Sequence, residues 1–180
     1  TLFVSNRHDL YLGTGDGVFS LNIDNIKAYI QGRELKYNYN QILKNVSVWQ
    51  FLSFDEKLYV ASDDGFAVID TKIQYGKRLF GISDFIDSSS DNKIISLAKD
   101  NSGVFWLGSE SSGVYLWDPL RELIENYRHS KKNTASLSHG AVWSMSEAIN
   151  DPKKFWVGTS NGLNLVDLKS QEIRQQRETF

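Results

Sequence analysis

The chain has 180 residues, is 41% hydrophobic and 13% aromatic, carries a formal net charge of −2 and contains no cysteine. That apolar content supports a packed core and excludes a disordered chain. The near-neutral charge provides no basic footprint for nucleic acid or an anionic membrane, and the absence of thiols excludes disulfides, cysteine-ligated zinc and thiol catalysis.

In chain order, residues 2–5 read as the remnant of a strand, so the first structural unit is expected to be incomplete. Tyr11 then opens the phrase YLGTGDGVFSLN: a strand, a polar turn, a glycine and an alternating apolar strand closed by Asn22. Residues 46–54 (VSVWQFLSF) alternate as a strand with a buried face. Tyr59 marks a second copy of the phrase, LYVASDDGFAVID, followed by a polar segment at 77–80. Residues 94–99 give the next strand, and Trp106 marks a third copy, FWLGSESSGVYLWD, in which one extra residue before Gly113 predicts a longer loop or a bulge. A polar segment follows at 122–128, then a strand at 141–148. Trp156 marks the fourth copy, FWVGTSNGLNLVD, and the segment 172–177 follows it. Asn161-Gly162, Asp64-Gly65 and Asp16-Gly17 are hairpin turns, because such turns need positive φ.

The anchors Tyr11, Tyr59, Trp106 and Trp156 stand 48, 47 and 50 residues apart. A fixed period of roughly 20–50 residues marks repeated units. Four strands per unit, rich in β-branched and aromatic residues, predict an all-β chain of four-stranded antiparallel β-propeller blades, not a helical solenoid. About four blades are expected, near residues 1–40, 41–90, 91–138 and 139–180. A part of a larger propeller fits better than a closed four-blade ring, since four twisted sheets leave little axial room for Trp49 and Trp143. Blade faces left open in such a part would pair with adjacent blades or a second protomer.

The phrase (aromatic)-(aliphatic)-G-(S/T)-x-x-G-(aliphatic) resembles the two-component-regulator propeller repeat. The linker Asn126-Tyr127-Arg128-His129, Asn133, Ser136-Leu137-Ser138 and Val142-Trp143-Ser144-Met145 is similar to that family's phrase between blades. Ala61, in place of glycine, and the looser turn at 52–55 depart from it. The resemblance implies a periplasmic input domain of a membrane-bound bacterial regulator with a histidine-kinase, response-regulator or GGDEF output. None of those output motifs occurs here, so any kinase or cyclase activity, and any membrane contact, belongs to other parts of a parent protein.

Most apparent chemical motifs reduce to structure. Gly13-Thr14-Gly15-Asp16-Gly17 is followed by a strand, where a phosphate-binding loop needs a helix N-terminus. The oxygen-rich loops 87–92 and 109–112 lack the ligand spacing of a calcium site. His129 and His139 lack a third metal ligand nearby in sequence. No catalytic residue, metal or cofactor is assigned, and the Asn45-Val46-Ser47 acceptor pattern is set aside. Trp106 and Trp156 read as core, while Trp49 and Trp143 read either as packing between blades or as an aromatic platform for a sugar ring.

The expected role is a non-catalytic sensor whose turns recognise a small polar ligand such as a saccharide. Its candidate residues are Trp49, Trp143, Asp63, Asp64, Glu110, Ser111, Ser160, Asn161 and His129. A protein-interaction scaffold is the alternative, followed by a propeller lyase.

Overall fold

The computed structural model describes residues 1–32, 39–80, 92–120, 123–149 and 151–176. Among these, sixteen strands make four separate antiparallel sheets, each of four strands in sequence order. The chain divides into two compact units, Thr1–Gly81 and Ile82–Phe180.

The first unit holds two sheets. One contains β1 (Leu2–Val4), β2 (Asp9–Thr14), β3 (Gly17–Asn22) and β4 (Tyr39–Lys44). The other contains β5 (Val48–Phe54), β6 (Lys57–Ser62), β7 (Gly65–Asp70) and β8 (Tyr75–Phe80). They share a core of Tyr11, Val18, Leu58, Val60, Ala67 and Ile69. The first sheet therefore has all four strands, with an opening strand of only three residues. Its last two strands are separated by a helix that the sequence reading lacked, α1 (Ile23–Ile30). No α1 residue is buried. The helix starts because Asn22, the strand-closing residue, caps it: its side chain accepts from the Asp24 N–H at 3.0 Å. The insertion carries β4 to Lys44, past the border read at residue 40.

The second unit holds β9 (Ile94–Lys99), β10 (Phe105–Ser109), β11 (Val114–Asp118) and β12 (Leu123–Tyr127) in one sheet. β13 (Val142–Ala148), β14 (Asp151–Thr159), β15 (Gly162–Asp167) and β16 (Glu172–Gln176) make the other. Trp106 stacks on Phe155 with ring centroids 3.9 Å apart, inside a core completed by Leu116, Val142, Val157 and Val166.

Each part of the repeated phrase has a physical task. The Ser or Thr before the turn donates its hydroxyl to the carbonyl of the turn glycine: Thr14 to Gly17 (3.0 Å), Ser62 to Gly65 (3.0 Å), Ser109 to Gly113 (2.9 Å) and Thr159 to Gly162 (2.9 Å). The glycine itself is required at Gly17 (φ +129°) and Gly113 (φ +85°), where a Cβ would lie 2.0 Å from the Leu43 and Tyr127 carbonyl oxygens of the outer strand. The closing Asp accepts N–H bonds from the residues just past the strand, as at Asp70 from Lys72 (2.8 Å), Asp118 from Leu120 (2.9 Å) and Asp167 from Lys169 (2.9 Å).

In the third sheet the turn before β10 is tightened by Asp100, which is buried. One carboxylate oxygen accepts from the Ser102 and Val104 N–H groups (2.9 and 3.0 Å), and the other from the Trp106 indole (3.2 Å). The extra residue before Gly113 lengthens the turn, where the Ser112 N–H bonds to the Ser109 hydroxyl at 2.7 Å. Trp156 departs from the expectation of a buried core position, being only partly buried.

Candidate functional site

At one end of three sheets the repeat fixes the backbone and varies the side chain. The residue after the turn hydroxyl donates its N–H to the carbonyl just before or near the start of the sheet's first strand. The pairs are Asp63 to Ser47 (3.0 Å), Glu110 to Lys93 (3.2 Å) and Ser160 to Ala141 (3.2 Å). The side chains at this one position are a carboxylate, a longer carboxylate and a hydroxyl. The next residues are Asp64, Ser111 and Asn161. All three sheets also carry a register shift near the start of the first strand, at Trp49, Ile95 and Trp143. A bulge adds one unpaired residue and re-aims its side chain. At this position Trp49 and Trp143 are 43% and 54% exposed, whereas Ile95 is buried.

In the second unit several of the candidate residues come together. The Trp143 indole donates to the Ser160 hydroxyl at 2.7 Å. Asn161 donates from Nδ2 to the Ser138 carbonyl at 3.4 Å, and the Ser138 and Thr159 hydroxyls lie 2.7 Å apart. The Gly113 N–H reaches the Gly140 carbonyl at 2.9 Å, and a Cβ on Gly140 would stand 2.3 Å from the Ser111 carbonyl oxygen. These contacts gather the Ser111 turn, the 138–143 segment and the 159–161 turn at one corner.

His129 lies at the start of the loop leading into this corner. Its Nδ1 is 2.7 Å from the Leu137 carbonyl, and its ring is 6.3 Å from that of His139. His139 Nδ1 in turn accepts from the Ala141 N–H at 3.0 Å. Among the described residues no three His, Cys, Asp or Glu side chains form a metal-binding group. Glu110 is engaged by Lys93 at 2.8 Å.

The corner rests on a clamp that the sequence reading missed. Leu137 is fully buried in the core, and Ser136 and Ser138 flank it in buried positions. Asn164 has no exposed surface; its carboxamide oxygen accepts from the Ser138 N–H and its nitrogen donates to the Ser138 hydroxyl, both at 2.9 Å. The signal was present: Asn164 stands where the sister phrases have Phe19, Ala67 and Tyr115.

In the first unit the matching corner holds Trp49, Asp63 and Asp64. The Asp63 carboxylate accepts from the Ser47 N–H at 2.8 Å. Positions 87–91 of the oxygen-rich 87–92 loop lie outside the described residues. The 13–17 glycine cluster is a hairpin turn between β2 and β3. A separate cleft of about 730 Å³ opens between β4 and the 71–76 segment, floored by Asp9, Asn40 and Gln74. These three form a closed network in which Gln74 donates to Asp9 (3.3 Å) and accepts from Asn40 (2.8 Å).

Four-stranded antiparallel sheets repeated in chain order are β-propeller blades, and solved structures similar to this chain include a WD40 propeller domain. Residues 88–111 match the family described as Two component regulator propeller. The extracellular domain of the hybrid two-component system BT3049 of B. thetaiotaomicron is similar at a TM-score of 0.72 and 14% identity, over 98% of this chain and 24% of that one. The extracellular domain of BT4673 from the same organism gives 0.71 and 21%, over 99% and 23%. The WD40 propeller domain of Doa1 gives 0.59 and 15%, over 98% and 50%. The chain therefore spans about a quarter of the two bacterial structures. No curated protein sequence matches it significantly. Among the described residues, no helix is long and apolar enough to cross a membrane.

Proposed function

We propose that this chain is a non-catalytic, extracytoplasmic ligand-recognition module of a bacterial signal-transduction regulator. Its ligand is an uncharged polar molecule such as a saccharide, and any kinase or GGDEF output lies in a parent protein. The match over residues 88–111 and the likeness to extracellular domains of hybrid two-component systems support this reading.

One observation carries it: Trp143, set on a bulge, is more than half exposed while its indole nitrogen is held by Ser160. A ring fixed at its polar edge and open on its face is a stacking platform for the apolar face of a sugar. The neighbouring Asn161, Ser111 and His139 supply amide, hydroxyl and imidazole groups for hydroxyl recognition. Trp49 with Asp63 and Asp64 is the equivalent corner of the first unit. Because the sheet framework is invariant and the turn side chains vary, specificity resides in the turns.

Thermal-shift screening of the protein against neutral mono- and oligosaccharides tests the reading. At least one is expected to raise the melting temperature in a concentration-dependent way. A complete panel without any stabilisation would overturn it.

A further inference from the structure

The cleft between β4 and the 71–76 segment lies wholly inside the first unit, apart from the corner that holds Trp143. Its volume of about 730 Å³ falls among small-molecule sites, which span roughly 300–1,000 Å³. Two of its lining residues, Arg7 and Asp9, come from the turn that leads into β2. That turn repeats the one before β10. The Ser5 hydroxyl accepts from the Arg7 and Asp9 N–H groups at 3.3 and 3.2 Å, as the Asp100 carboxylate accepts from Ser102 and Val104. His8 and Gly103 occupy the same positive-φ position, at +61° and +97°. The turn is thus closed by the acceptor at its first residue. The charges at 7 and 9 stand where the sister turn has serine and valine, so the turn itself does not require them.

These two charges line one cleft without pairing with each other. The Asp9 carboxylate is taken up by amides, one oxygen accepting from Asn22 (3.4 Å) and the other from Gln74 (3.3 Å). Arg7 donates one N–H, to the Lys72 carbonyl at 3.4 Å, and among the described residues it has no ion pair. A guanidinium carries five N–H donors in a planar fork, so most of its capacity is open to a ligand. Lys44, at the other end of β4, also has no ion pair among the described residues, whereas Lys72 is paired with Glu56. The cleft therefore presents two unpaired cations against one carboxylate that amide donors already hold. Tyr39 on β4 and Tyr75 on the 71–76 segment also line it, 59% and 62% exposed, and the Tyr39 ring is set edge-on against Phe19 at 5.7 Å.

We propose that this cleft is a second ligand site, which takes a small ring-bearing carboxylic acid with its carboxylate forked on Arg7 and its ring against Tyr39 and Tyr75. Paired N–H groups of a guanidinium match the two oxygens of a carboxylate, which gives the contact its geometry. Lys44 adds positive potential along the cleft. A neutral ligand would leave the guanidinium unused, and an inorganic anion would leave both tyrosine rings uncovered. The site does not rest on saccharide recognition at Trp143, so either assignment can fail without the other.

Calorimetric titration of the whole chain with 4-hydroxybenzoate tests this, beside acetate, which lacks the ring, and 4-hydroxybenzamide, which lacks the charge. The wild type is expected to bind 4-hydroxybenzoate saturably and the other two about tenfold more weakly or worse. Arg7→Gln is expected to lose about tenfold in affinity or more, and Arg7→Lys to recover only part of it, because an ammonium keeps the charge without the fork. Tyr75→Ala, at a second exposed lining position, is expected to weaken binding as well, while Trp143→Ala binds as the wild type does. Arg7 is exposed and its side chain bonds a single carbonyl, so folding is expected to survive, as circular dichroism melts will check. No saturable binding by the wild type, equal binding of the amide, undiminished affinity in folded Arg7→Gln and Tyr75→Ala, or loss of binding in Trp143→Ala would each overturn the proposal.

Discussion

The hydroxyl that closes each hairpin turns a loose sequence preference into a stabilising bond. Ser109 is fully buried, so Ser109→Ala removes the donor to Gly113 and leaves that carbonyl without one of its partners. The expected loss is about 1–2 kcal/mol, measured by urea denaturation. Tyr11 behaves in the opposite way. Its hydroxyl is buried and, among the described residues, has no hydrogen-bond partner. Burial, reinforced by the Asp9 carboxylate, pushes its pKa up to about 12. The unfolded chain releases that proton near pH 10 and the folded chain near 12. Tyr11 thus adds to stability fully below about pH 10, and the contribution is lost as pH rises toward 12. Tyr11→Phe is expected to leave stability at pH 7 unchanged or slightly raised and to flatten the alkaline loss, read from denaturation midpoints between pH 9 and about 11.5.

The strands, hairpin turns and turn glycines were legible in the sequence because period-2 alternation and positive-φ residues leave local marks. The helix was not. Asn22 closes β3 in the same register as Asp70, Asp118 and Asp167, so its capping role was hidden behind its strand role. The helix is only eight residues long and none of them is fully buried, so the spacing of Ile23, Ile26 and Ile30 is too short a stripe to stand out from the strands around it. An element without buried contacts melts locally. Ala28→Gly is expected to speed amide exchange across residues 23–30 while shifting the global unfolding midpoint by less than the ~1 kcal/mol helix cost. The exposure of Trp49 and Trp143 was equally hidden, because a bulge shows in pairing register and not in composition. The candidate turns were singled out because loops held by a rigid sheet framework carry specificity. The Asn164–Ser138 clamp was missed because its two members are 26 residues apart.

For the whole molecule, the proposed recognition site is the exposed Trp143 set among hydroxyl and amide groups. Trp143→Ala removes the platform without touching the buried core, so folding is expected to persist with little change in stability. Asn164→Ala is expected to loosen the corner from beneath, lowering both stability, by about 1–3 kcal/mol, and ligand affinity. The most direct measurement is calorimetric titration of wild type and Trp143→Ala with the saccharide that most raises the melting temperature. Saturable binding by the wild type, weakened at least tenfold in the folded variant, is the expected result. Equal affinity in the two proteins would contradict the assignment of this corner as the recognition site.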